Sequence, residues 1–232
     1  MKTKLSLYVL SKKKEKQVLF IYFVGFTFIF PLLISLLLYS LHFNVANDLV
    51  VNVCVYAATL IFLLLVAFPL LKEESNFNIS LFLKKALVGL CVLLGANIIY
   101  QLVVSQLFDL NTSANQASLR EISKQGIFLF ALMTLILAPI VEEVTFRGVL
   151  FKIVRRRFGF FTAAFLSSFI FGFMHVSGSL FLGQWKDFVY LFLYGIIAFI
   201  FAKVYEDTGS IFCPIVLHAT YNAFGLATIL LQ

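Results

Sequence analysis

Seven apolar runs, at 18–41, 49–71, 86–108, 126–150, 158–176, 188–204 and 211–231, occupy most of the 232-residue sequence. Each is 17 to 25 residues long, enough for a helix to cross about 30 Å of hydrocarbon. A backbone in lipid has no water to bond, so such runs satisfy their amides internally, as helices. The expected fold is therefore all-α: a polytopic membrane bundle of about seven transmembrane helices. With 62% hydrophobic and only 12% charged residues, and a mean hydropathy of +1.01, no single water-soluble core can hide this surface. The runs leave no space for a globular domain between them. We read one membrane domain, with an N-terminal three-span region over 1–125 and a core over 126–232. The first run is too long for a signal-peptide core and lacks a small-residue cleavage site, so it is read as a retained span.

The net charge of +7 fits membrane topology better than nucleic acid, because the basic residues lie beside the apolar runs. With the N-terminus placed in the cytoplasm, fourteen of the eighteen Lys and Arg fall in inside connections: the N-terminal segment, the loop around Lys72, Lys84 and Lys85, the loop Lys152 to Arg157, and Lys203. Only Arg120, Lys124 and Lys186 fall outside, and Arg147 lies within the fourth run. The positive-inside rule then predicts N-terminus in and C-terminus out. Cys54, Cys91 and Cys213 show no metal or disulfide spacing and are read as buried apolar residues. Trp185 and Tyr190 are read as interfacial anchors, and the Lys12 to Lys16 run as a contact with anionic lipid. Asn97 and Gln101, one helical turn apart, are read as helix-packing groups, with a place in a substrate groove as the alternative. The partners expected are membrane lipid and a peptide or small membrane-protein substrate, with no nucleic acid.

Ionisable residues in mid-span are costly and are rare unless paired or functional. Here they cluster. The fourth run carries Pro139, Glu142, Glu143 and Arg147; the fifth carries Phe171 and His175; the seventh carries Pro214, His218 and Asn222. Reflection through the turn near Arg157 to Gly159 places His175 opposite Glu142, and His218 falls at a similar depth. Glu143 and Arg147 are i and i+4 with Glu first, the favoured order for an intrahelical ion pair. Glu142 is rotated about 100° from Glu143, so the two carboxylates are expected to differ in role. Pro139 and Pro214, just before Glu142 and His218, are expected to kink their helices and open space for water.

A carboxylate and an imidazole at one level can deprotonate a water, while a second imidazole and an amide can stabilise an oxyanion. That kit suits peptide hydrolysis without a Ser or Cys nucleophile. The residues resemble the CPBP membrane proteases, a family that includes CAAX prenyl endopeptidases and bacterial bacteriocin-processing or self-immunity (Abi) proteins. Glu142-Glu143-x-x-x-Arg147, Phe171-x-x-x-His175 and His218-x-x-x-Asn222 match its three motifs, and the resemblance covers roughly 126 to 230. It implies an intramembrane endopeptidase in which Glu142 and His175 activate water, His218 and Asn222 form the oxyanion site, and Glu143 and Arg147 support them. It also carries a metalloprotease label. Glu142, His175 and His218 could hold Zn²⁺ with one open position, although the same residues suffice without metal. Substrate access is expected from the cytoplasmic side. Two rivals stay open: a catalytically silent immunity or scaffold protein of the same fold, and a small transporter using the same carboxylates. The Lys-, Asn-, Ile- and Phe-rich composition resembles low-GC Gram-positive membrane proteins. It favours a bacterial plasma membrane, and maturation of a bacteriocin, leader peptide or pheromone over prenylated substrates.

Overall fold

A computed structural model describes residues 5–43 and 48–231; Lys2 and Lys4, two of the N-terminal basic residues, and Gln232 lie outside them. Among the described residues there is no strand, and seven helices are long and apolar enough to cross a membrane. They are α1 (Lys12–Ser40), α2 (Asp48–Glu73), α3 (Ile79–Phe108), α5 (Ile127–Arg155), α6 (Phe160–Phe181), α7 (Trp185–Thr208) and α8 (Phe212–Leu230). A shorter helix, α4 (Ala114–Ser123), lies between α3 and α5. The protein is a multi-pass membrane protein.

The helices begin where capping chemistry starts them rather than where hydropathy rises. Ser11 accepts a hydrogen bond from the Lys14 amide, and Asn78 accepts one from that of Leu81. Thus α1 and α3 start several residues before their apolar runs, because side-chain oxygens satisfy amides that have no partner within the helix. The polar helix α4, capped by Ser113, carries no hydropathy signal. At its other end α7 stops at Gly209, whose φ of 68° is left-handed and suits a residue without Cβ.

Burial divides the helices into a core and a belt. Half of the apolar window of α5 and of α7 is buried, against 11% in α1, so α5 and α7 form the centre and α1 faces outward. Leu32, Leu33, Leu36 and Leu37 of α1, and Leu65 and Phe68 of α2, stay exposed, as lipid-facing side chains must. Trp185 is exposed as an interfacial anchor would be, but Tyr190 is buried and is a core residue. Only Cys213 of the three cysteines is buried; Cys91 is exposed on α3 and Cys54 is half-buried.

The α6–α7 crossing is close because small residues line it. A Cβ added at Gly172 would stand 2.5 Å from the Leu191 carbonyl oxygen and 3.1 Å from the Gly195 nitrogen. Backbone cannot yield there as a flexible side chain could, so Gly172→Ala is expected to wedge the pair apart and destabilise the fold by about 1–3 kcal/mol. Thermal unfolding of the purified protein in detergent checks this. Gly178→Ala, which meets open space on the same helix, should leave the transition unmoved.

Glu74 ties the end of the bundle that carries the basic connections. Its carboxylate accepts hydrogen bonds from Lys152 of α5, from the Tyr205 hydroxyl of α7 at 2.9 and 3.0 Å, and from the Ile211 amide at the start of α8 at 2.9 Å. Its carbonyl accepts the Ser210 hydroxyl at 2.6 Å. Burial pushes the Glu74 carboxyl up, while the Lys152 ammonium and these hydrogen bonds favour the ionised form. Four helices therefore meet at one fully bonded carboxylate.

Candidate active site

Helix α5 does not run as a regular α-helix through the motif. It widens into π turns over Met133–Leu137 and again over Val144–Phe151, on either side of Ala138–Glu143. Pro139 is the local cause of the first. In the π register the Ala138 amide bonds the Met133 carbonyl, and the Thr134 carbonyl would next look to residue 139, where proline has no N–H. The Asn222 side-chain amide supplies the missing donor, 2.9 Å from the Thr134 oxygen. The kink expected at Pro139 thus takes the form of a π widening, and Asn222 of α8 is tied into it.

One turn further, the two adjacent carboxylates diverge. Glu143 is fully buried, and its Oε2 lies 3.1 Å from Arg147 Nε. Neither atom makes a hydrogen bond, so the contact is an ion pair through charge rather than direction. Arg147 donates instead to the Ala198 carbonyl at 3.0 Å, and its guanidinium lies over the rings of Phe171 and Phe201. The other oxygen of Glu143 is 2.9 Å from His218 Nδ1. Neither Glu143 nor Arg147 lines the cavity that Glu142 borders; they stand behind it.

Glu142 faces the cavity. Its Oε1 accepts the Tyr56 hydroxyl at 3.2 Å. Its Oε2 is buried without a protein hydrogen-bond partner and lies 4.0 Å from His175 Nε2 and 3.9 Å from His218 Nε2. His175 Nδ1 is 2.9 Å from the Phe171 carbonyl oxygen, which can only accept, so Nδ1 carries the hydrogen. The ring is stacked between Phe171 and Tyr194, at centroid distances of 4.4 and 4.6 Å. His218 stacks on Phe201 and directs Nδ1 to the Glu143 carboxylate. Both rings are thus oriented by a bond at Nδ1, and both turn Nε2 towards Glu142.

These groups border a cavity of about 730 Å³. It reaches from Glu142, His175 and His218 past Asn222 on α8 and Asn97 on α3 to α4. Asn97 also donates to the Tyr221 hydroxyl at 2.5 Å, joining α3 to α8 as a packing group should; Gln101 lines the cavity with its carbonyl oxygen unbonded. The cavity walls come from the end of the bundle opposite the Glu74 cluster. No side chain of the Lys72–Lys85 or Lys152–Arg157 connections borders it, so the access expected from the basic side has no counterpart here.

Of the six residues singled out in the sequence, five form one cluster and Asn222 sits a helical turn, roughly 6 Å, beyond His218 with one amide hydrogen engaged. Three further contributors lie outside the sequence motifs. Tyr56 belongs to a span matching no motif, although Asn52 and Tyr56 one turn apart in an apolar run are a readable signal. Tyr194 braces His175 and accepts a hydrogen bond from Asn115 at 3.2 Å. Thr134 acts through its backbone, for which Pro139 is the only sign.

A tetrahedral zinc ion holds its N and O donors at about 2.0–2.1 Å, and hence about 3.3 Å from one another. The 3.9 and 4.0 Å separations at Glu142 are wider, and among the described residues no three His, Cys, Asp or Glu side chains are grouped to hold a metal ion. Spacings near 4 Å suit a water bonded to each partner at about 2.8 Å. The donor set as it stands fits water rather than zinc.

Comparison with known proteins bears on the same half of the chain. Residues 124–224 match the family described as type II CAAX prenyl endopeptidase Rce1-like. A curated protein of Bacillus subtilis (strain 168), titled "Putative membrane peptidase YdiL", is 34% identical over 100 residues, which are 43% of this chain. The chain spans only 37% of that relative's length. No solved structure matches.

Proposed function

We propose that the chain, whose residues 124–224 match the Rce1-like family of type II CAAX prenyl endopeptidases, is an intramembrane endopeptidase that cleaves a peptide or small membrane protein with a water activated by Glu142 and His175. The observation that carries this reading is the second oxygen of Glu142, buried, unbonded and about equally distant from two imidazole Nε2 atoms on the cavity wall.

The chemistry follows from which atoms are free. Nδ1 of each histidine is committed to an oxygen, so Nε2 is the atom that exchanges protons. A water between Glu142 and His175 gives its proton to this pair as its oxygen bonds the substrate carbonyl carbon. The carbonyl oxygen becomes an oxyanion. His218, protonated at Nε2 and balanced by Glu143 behind it, together with the second amide hydrogen of Asn222, stabilises that charge. The proton held by Glu142 and His175 then passes to the leaving nitrogen as the C–N bond breaks. Glu143 and Arg147 touch no substrate and act by fixing His218.

Mass spectrometry of peptides incubated with the purified protein in detergent tests the reading. Cleavage at defined bonds is expected, persisting after exhaustive chelation because no step runs through a metal. Absence of any product would favour the silent scaffold; loss of cleavage on chelation, with recovery on adding Zn²⁺, would restore the metal.

A further inference from the structure

The catalytic cavity and the basic residues sit at opposite ends of the bundle. Lys12 to Lys16 begin α1, Lys72 lies in the last turn of α2, Lys84 and Lys85 lie in the first turns of α3, and Lys152 to Arg157 span the end of α5 and the turn after it. All share the end closed by Glu74. At the other end the described connections hold only Arg120, Lys124 and Lys186. A bias of this size orients the basic end to the cytoplasm. The cavity reaches the opposite face, where α4 borders it with Ser113 and Asn115. Asn111 and Ser118 line the cavity yet remain exposed, so they mark its mouth.

We infer that the mouth opens on the non-cytoplasmic side of the membrane, and that the substrate is a polypeptide segment already moved to that side. This rests on the hydrolytic function proposed above and narrows its substrate: a cytoplasmic C-terminus would have to pass the closed, Glu74-bonded end to reach Glu142. The walls suit a main chain entering from outside. Asn97, Gln101, Asn115, Gln116 and Asn222 border the path between mouth and carboxylate, and carboxamides can both donate to and accept from peptide groups. The helix at the mouth is held by the Ser113 hydroxyl, 2.8 Å from the hydroxyl of Tyr194, whose ring stacks on His175, and by the Ala114 amide, which donates to Asp187 at 2.9 Å.

The test separates side from chemistry. Single cysteines are placed at Asn111→Cys, Ser118→Cys and, as the opposite-face control, Arg157→Cys, in a chain whose Cys54, Cys91 and Cys213 are replaced by Ser. Intact cells are treated with a membrane-impermeant maleimide, before and after permeabilisation. Full labelling at 111 and 118 in intact cells, with 157 labelled only after permeabilisation, is expected; the reverse pattern overturns the inference whether or not the protein hydrolyses anything. In a second arm, an impermeant quenched peptide that the purified protein cleaves is added outside intact cells. Products in the medium support outward access, and their absence overturns it. If the purified protein cleaves no peptide while positions 111 and 118 label from outside, the hydrolytic reading fails and the orientation stands.

Discussion

Glu142→Gln is expected to lower peptide cleavage by about 100- to 10,000-fold, the range over which a positioned general base contributes, while expression, membrane insertion and thermal unfolding stay close to those of the parent. The amide keeps the size of the carboxylate and can still accept the Tyr56 hydroxyl that now bonds Oε1. What it loses is basicity at Oε2, the atom that faces both Nε2 nitrogens. Turnover of a peptide by equal amounts of folded parent and variant measures the effect. Undiminished turnover would remove Glu142 from the reaction. A silent immunity or scaffold protein would show no dependence on this substitution in any protection or assembly assay, and a proton-coupled transporter would show flux in proteoliposomes that disappears with it.

The second large effect is expected at Arg147. Arg147→Met keeps a long apolar stem among Phe146, Phe171 and Phe201 but takes the guanidinium from the buried Glu143, leaving His218 as its one charge partner. Removing one partner of a buried ion pair costs about 3–5 kcal/mol, so the variant should unfold at markedly lower temperature in detergent. Adding Glu143→Gln removes the buried charge and should recover most of that stability. It should not recover cleavage, because the neutral amide cannot hold His218 in a charged state through Nδ1. Recovery of both would make the pair purely structural; recovery of stability alone supports a positioning role.

Much of this arrangement is legible in the amino-acid sequence. The period and length of the apolar runs give seven helices, since lipid leaves the backbone little alternative. The turn at Arg157 to Gly159 brings Glu142 and His175 together by simple reflection. The intrahelical spacing of Glu143 and Arg147 is equally direct. The bond between Glu143 and His218 is not, because it depends on how α8 is rotated against α5, and a lone histidine in a span specifies no azimuth. Tyr56, with Asn52 one turn before it, is legible as a polar face on its helix, but its bond to Glu142 is not, for the same reason. Asn222 is identifiable as a site residue, but its bond to the Thr134 carbonyl follows from a π register that no propensity scale encodes. The direction of access does not follow from the depth of the residues, which says how far a group lies from each face and nothing about which face is open.

The knot at Glu74 has a mechanical consequence. Separating α2, α5, α7 and α8 at that end would strip a carboxylate of Lys152, Tyr205 and an amide at once, in surroundings where replacement partners are scarce. At the other end α4 is held through the Ser113 and Ala114 bonds to Tyr194 and Asp187, which are only partly buried, so the two ends of the bundle differ in how firmly they are closed.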